Sequence, residues 1–192
     1  NTDGYNNTAL GFSSLDANTT GDKNIAIGYN ALTTNTTGDS NTAVGDQALR
    51  NSTTASGNTS VGNEALYSNT TGAGNVAVGG SAGYNITTGN YNTAIGAGAL
   101  DASNVGSSTA LGYQTLTAAT GDQNTAMGTY TASSVTSGEG NTGLGYHCMT
   151  SLTTGDNNIC IGKFAGTTSS PANIDTGSNI VCLGNNDTAN VY

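Results

Sequence analysis

Residues 41–49 read "NTAVGDQAL". Near-copies return along the chain: "NIAIGYNAL" at 24–32, "NTSVGNEAL" at 58–66, "NTAIGAGAL" at 92–100 and "STALGYQTL" at 108–116. The glycine closing each first half falls at Gly11, Gly28, Gly45, Gly62, Gly79, Gly96, Gly112, Gly128, Gly145, Gly162 and Gly184. Successive spacings are 17, 17, 17, 17, 17, 16, 16, 17, 17 and 22 residues. A fixed period of this kind is the signature of a repeat architecture, and it outranks every other signal in the chain.

Aligned on the glycine, the columns carry the physics. The first is almost all asparagine: Asn7, Asn24, Asn41, Asn58, Asn75, Asn92, Ser108, Asn124, Asn141 and Asn158. A small residue follows two places on, as in Ala26, Ala43, Ser60, Ala77, Ala94, Ala110, Ala126, Gly143 and Cys160. A large apolar one follows at three, as in Ile27, Val44, Val61, Val78, Ile95, Leu111, Met127, Leu144 and Ile161. After the glycine comes a second small column (Ala31, Ala48, Ala65, Ala82, Ala99). Beside it is a second large one: Leu15, Leu32, Leu49, Leu66, Leu100, Leu116 and Met149. A polar loop of the type "TTNTTGD" closes the unit.

Seventeen residues are too few for a helical-hairpin repeat. The first segment alternates as a strand does and is rich in Thr, Ile and Val. The expectation is an all-β parallel β-solenoid with a 17-residue coil. Each coil would hold a strand, a glycine bend, a second short strand and a loop home. Parallel strands about 4.8 Å apart make ten coil spacings a rod of roughly 50 Å. Asn over Asn would form a side-chain amide ladder. Residues 1–167 would form the rod of about ten coils. Residues 168–192, with Pro171 in the one 22-residue gap, would form an altered terminal coil or cap leading into a further C-terminal module.

Bulk composition narrows the function. The net charge is −9 with three basic residues, Lys23, Arg50 and Lys163. A phosphate-neutralising surface needs clustered Lys or Arg, so nucleic acid and anionic membranes are poor partners. No apolar run approaches a membrane span. The chain starts in mid-pattern without a leader-like segment and is read as a fragment or processed piece. Few aliphatic residues would ordinarily suggest disorder; here they lie on a lattice and can be buried together.

Each coil offers about two large aliphatic residues, a thin core against the cost of ordering the chain. The Ala column and the Thr/aliphatic columns of the strand lie on opposite faces. The flat Ala face is expected to pack against another copy, and the aliphatic face inside the coil; the alternative is that Ala fills a narrow solenoid.

The pattern "NTAIG..A" followed by a glycine-bearing loop resembles the head repeats of trimeric autotransporter adhesins, "S-x-A-I-G-x-x-A-x-A-x-G", with a longer polar loop. The long-loop form "NTAIGYNAL..NTTG" is similar to stalks of phage and other viral tail fibres that precede an endosialidase-type intramolecular chaperone. "SNIVCLGNNDTANVY", residues 178–192, looks like the segment before such a chaperone. The resemblance implies a left-handed β-roll that trimerises side by side. It also implies an extracellular place on a virion tail fibre or cell surface, and host attachment through a receptor or glycan. A bacterial adhesin head is the second reading. Ice binding or an extracellular fibril is the third, although the loop Thr column is broken at Ala55, Val105 and Val135 and there is no unbroken two-Thr strand motif.

Catalysis and a cofactor are not expected. His147, the one histidine, adjoins Cys148, but neighbours in a strand point to opposite faces. Cys160 and Cys182 share the small column, as buried thiols or a cross-strand disulfide. Asp22, Asp39, Asp122 and Asp156 follow the loop glycine; as a carboxylate ladder they are weak Ca²⁺ candidates, and otherwise solvated turn aspartates. Tyr29, Tyr113 and Tyr146, with Phe12, follow the repeat glycine and are weak candidates for receptor contact. Asn18, Asn35, Asn51, Asn69 and Asn85 lie in glycosylation-type sequons.

Overall fold

A computed structural model of the chain describes residues 2–101, 104–168 and 174–185. Eleven three-residue strands form one parallel sheet whose spatial order is the chain order. They are β1 (Thr8–Leu10), β2 (Ile25–Ile27), β3 (Thr42–Val44), β4 (Thr59–Val61), β5 (Val76–Val78) and β6 (Thr93–Ile95). β7 (Thr109–Leu111), β8 (Thr125–Met127), β9 (Thr142–Leu144), β10 (Ile159–Ile161) and β11 (Val181–Leu183) follow. Every pairing is in register: Ala26 faces Ala43, Val61 faces Val78, and Cys160 faces Cys182 across the 22-residue spacing. The chain is a parallel β-solenoid of about 17 residues per turn. The 16- and 22-residue spacings leave the register intact. The expectations for Pro171 and for the last residues of the terminal segment lie outside the described residues.

Two expectations are corrected. The first concerns the faces of the strand. The Ala column points into the bore: Ala26, Ala43, Ala77 and Ala110 are wholly buried. The Thr and aliphatic columns point out; Val61, Val78, Ile95, Met127, Leu144 and Ile161 keep 37–44% of their surface exposed. The reason is volume. The opposite wall sends Leu32, Leu49, Leu66, Leu100, Leu116 and Met149 into the bore, all fully buried. A coil this short leaves room for a methyl group and little more across from them. At Gly143 even a methyl would be crowded, because an added Cβ would lie 2.9 Å from Thr131 Cγ2 and 3.1 Å from Met149 Sδ.

The second correction is that the Ala–Leu segment is not a strand. The leucines sit at left-handed φ, with Leu32 at 51°, Leu49 at 50° and Leu66 at 49°. That conformation costs an ordinary residue roughly 1–2 kcal/mol. It persists because the backbone bonds coil to coil there: Leu32 N–H donates to Ala48 O at 2.9 Å and Leu49 N–H to Ala65 O at 3.0 Å. Buried backbone donors are thereby satisfied without strand geometry.

The repeat glycine has a strict role. Gly62 has φ 139°, and a Cβ there would stand 2.5 Å from the carbonyl oxygen of Gly79 in the next coil. Its own N–H donates to Val61's partner one coil back, the Val44 carbonyl, at 2.8 Å. Only glycine fits both the conformation and the approach.

The asparagine ladder forms as the columns imply. Asn41 Nδ2 donates to Ala55 O at 2.8 Å, and Asn41 Oδ1 accepts the backbone N–H of Asn58 at 3.0 Å. Asn58 and Asn75 repeat this pattern. Where the column changes, Ser108 Oγ accepts the N–H of Asn124 at 3.2 Å, so the ladder continues through a hydroxyl. Each amide ties the strand entrance to the polar loop of the next coil.

Candidate functional surface

The strand face is a regular surface that runs the length of the described strands. Its two outward columns are Thr8, Ile25, Thr42, Thr59, Val76, Thr93, Thr109, Thr125, Thr142, Ile159 and Val181, and the aliphatic residues two places on from each. Neither column contains a charged residue, although the chain carries twelve acids. The face is therefore an uncharged strip about 50 Å long, eleven strands at about 4.8 Å. Threonine hydroxyls run along one side and half-exposed aliphatics along the other.

Aromatic rings gather beside it on the turns. Tyr29, Tyr113 and Tyr146 are each about half exposed, in the column just after the repeat glycine. Tyr29 stacks on Phe12 with centroids 5.5 Å apart. Tyr113 and Tyr146 join a larger cluster that includes two rings the sequence reading did not single out, Tyr130 and Phe164. Tyr130, His147 and Phe164 occupy one column in three consecutive coils, with centroids 4.9 and 5.6 Å apart. Tyr113 meets Tyr130 edge-on at 5.4 Å, and Tyr146 meets Phe164 edge-on at 5.7 Å. The 17-residue spacing of 130, 147 and 164 is the signal that would have found them. A second aromatic column runs Arg50, Tyr67, Tyr84. Arg50 donates to Tyr67 Oη at 2.7 Å, and the two tyrosine rings stack at 5.0 Å.

His147 and Cys148 part, but in a turn and not in the strand on which the expectation rested: His147 has a left-handed φ of 51°. The imidazole packs among aromatic rings on the outside, while the Cys148 thiol is buried and donates to Cys160 O at 3.2 Å. All three cysteines are buried thiols. The hydrogen bond shared with Cys148, and then burial, push the Cys160 thiol far above the ordinary range. Its reactive thiolate form is accordingly disfavoured.

The aspartates form a ladder, but one directed at the backbone. Asp22 Oδ1 accepts the N–H of Tyr5 at 2.6 Å, and Asp39 Oδ1 accepts that of Asp22 at 2.7 Å. Asp122 and Asp156 accept the N–H groups of Gly106 and Glu139 at 2.7 and 2.9 Å. Among the described residues, no group of three or more His, Cys, Asp or Glu side chains is placed to hold a metal ion. Of the sequon asparagines, Asn18, Asn35 and Asn69 are buried and face the bore; Asn51 is half-buried and Asn85 exposed.

The chain matches no protein-family model, no curated protein and no solved structure.

Proposed function

We propose that this chain is a structural segment, shaft or head, of a phage or other viral tail fibre that takes part in attachment to a host surface, and that it works as a side-by-side homotrimer. The observation that supports this reading is the strand face: an uncharged Thr/aliphatic strip along the whole rod of a strongly acidic chain. Elsewhere the surface carries acids, and like charges oppose close approach. The strand face is the surface on which copies can meet without that penalty, burying apolar area as they do. Association through the Ala column, the arrangement the sequence suggests, is replaced here by association through the Thr/aliphatic columns. The number three, the left-handed roll and the extracellular setting come from the resemblance to trimeric head and tail-fibre repeats. The exposed tyrosines beside the strip are suited to a glycan or protein receptor.

Sedimentation equilibrium tests the reading. A mass three times 18.9 kDa is expected, and a Val78→Lys variant should sediment as the monomer. A native monomer would remove the proposal.

One observation favours another reading. Seven of the eleven outward positions in the first strand column are threonine, at regular strand spacing, on the exposed side of the sheet. Such an array can order water, so ice binding has a structural argument beyond the loop threonines. A monomer that shows thermal hysteresis would support ice binding over the fibre.

A further inference from the structure

The three cysteines of the chain, Cys148, Cys160 and Cys182, meet in the bore of the last described coils. Cys160 and Cys182 are register partners in β10 and β11, with both side chains buried. Their backbones stand one strand spacing apart, about 4.8 Å. That lies inside the range of about 4.4–6.8 Å between Cα atoms that a disulfide spans. Both sulfurs also converge on Gly166. A Cβ there would lie 2.5 Å from Cys160 Sγ, and the Gly166 N–H donates to Cys182 Sγ at 3.2 Å. The Cys160 thiol hydrogen-bonds with both of its thiol neighbours, Cys148 and Cys182.

The surrounding chain makes room for the pair. Gly166 occupies the column that carries Leu49, Leu66, Leu100 and Met149 in other coils. The space is taken by the Cys160 sulfur and by Ile174, whose Cδ1 would lie 2.7 Å from the same added Cβ. Cys148 differs from the other two. It comes from the opposite wall, in the column of Ala48 and Ala65, and its thiol is engaged as a donor to the Cys160 carbonyl oxygen at 3.2 Å. Cys182 follows Cys160 by 22 residues, the longest spacing between paired strands in the rod.

We propose that Cys160 and Cys182 are a latent disulfide, which in oxidising surroundings ties the last described strand to the rod. The oxidant is a low-molecular-weight disulfide such as oxidised glutathione. Cys182, exposed to 4% where Cys148 and Cys160 stand at 0%, takes the first exchange. Its thiolate attacks the added disulfide, and one small thiol leaves. Cys160 then attacks the Cys182 sulfur, and the second small thiol leaves. In sum one S–S bond breaks and one forms, and the two protein thiols pass two electrons and two protons to the thiols released. The hydrogen bond with Cys148, and then burial, oppose loss of the Cys160 proton, so closure is slow. The bond closes a loop over the longest connection, and a longer loop restricts the unfolded chain more. The inference is independent of how copies associate and of what the rod attaches to.

Equilibration of the reduced chain in a buffer of reduced and oxidised glutathione tests it. One sample is kept folded and another is refolded from denaturant, so that access to a buried thiol does not decide the result. Free thiols are then alkylated and the peptides identified by mass. A Cys160–Cys182 bond with Cys148 free is expected, and its appearance by either route supports the proposal. The oxidised chain should unfold about 5–10 °C above the reduced one, and dithiothreitol should abolish the difference. Cys148→Ala should keep the bond, and Cys182→Ala should leave both remaining thiols free. Three free thiols by both routes, a mixed disulfide that never closes, a Cys148–Cys160 bond in either chain, or an oxidised chain no more stable than the reduced one would overturn the proposal.

Discussion

The two halves of the rod follow the same backbone path with different chemistry inside. In the first half the column seven residues after the repeat glycine is polar, Asn18, Asn35, Ser52 and Asn69. In the second its described members are apolar: Ile86, Ala119, Val135 and Leu152, all buried, while Ser103 and Ser169, at the same offset in the sequence, lie outside the described residues. The large column four residues after the glycine answers. It is leucine throughout the polar half, at Leu15, Leu32, Leu49 and Leu66. Where the later column becomes bulky it can shrink, to Gly83 beside Ile86 and Ala132 beside Val135. The contact is direct, since a Cβ at Gly83 would lie 3.0 Å from Leu66 Cδ2 and 3.1 Å from Ile86 Cδ1. Where Ala119 is small, Leu116 is large again. A coil of this length holds a polar side chain there, an aliphatic that displaces bulk from three residues earlier, or, with Met149 and Leu152 both buried, two bulky residues offset by Gly143 in the strand, where an added Cβ would lie 3.1 Å from Met149 Sδ. The constant quantity is filled volume.

The sharpest way to break this equivalence is to carry polarity into the apolar half. Leu152→Asn puts a lone amide where no ladder receives it; a loss of roughly 3–5 kcal/mol is expected, read as the shift of a denaturant unfolding midpoint. The opposite transfer, Asn35→Leu, crowds the bore and removes the bond to Asn18, for about 2–3 kcal/mol by the same assay. Volume exchange comes next. Gly83→Leu and Ile86→Asn should each destabilise. Their double variant recreates the coil type of the first half, so a double-mutant cycle should return a favourable coupling of about 1–3 kcal/mol. Additivity would mean the two columns do not trade volume. The smallest effect belongs to the surface. Tyr130→Ala removes the centre of a half-exposed ring cluster and should cost about 1 kcal/mol or less beyond its buried area, while lowering affinity for a host-surface ligand if the rings are its contact. Calorimetry and a binding assay on the same variant separate the two.

Much of the fold is legible in the sequence because two columns admit few residues. Gly62 cannot be replaced without a clash, and Asn41 serves both a backbone donor and a backbone acceptor. Such positions repeat almost without error and set the register. The orientation of the strand was hidden, because period-two alternation defines two faces without saying which is inside. The usual expectation of large residues inside and small residues outside fails here, since Leu49 and its equivalents fill the bore from the opposite wall. The Ala–Leu segment reads as a strand by the same alternation, whereas its left-handed leucines follow from coil-to-coil backbone bonding, which composition does not report. Of the candidate surface, Tyr29, Tyr113 and Tyr146 were visible as isolated aromatics. The cluster around Tyr130, His147 and Phe164 required reading one column further on. The aspartates were visible as a ladder; that they accept backbone N–H groups was not.

The central claim is that alanine lines the inside of each strand while the larger aliphatic residue faces out. Methyl-resolved Overhauser spectra of the native chain test it most directly. The account predicts that the methyls of Ala77 and Ala94, register partners in β5 and β6, contact each other and the core leucine methyls of Leu66 and Leu100. The methyls of Val78 and Ile95 should contact each other but no core leucine. Spectra in which Val78 and Ile95 reach those leucines, and Ala77 and Ala94 do not, would contradict it.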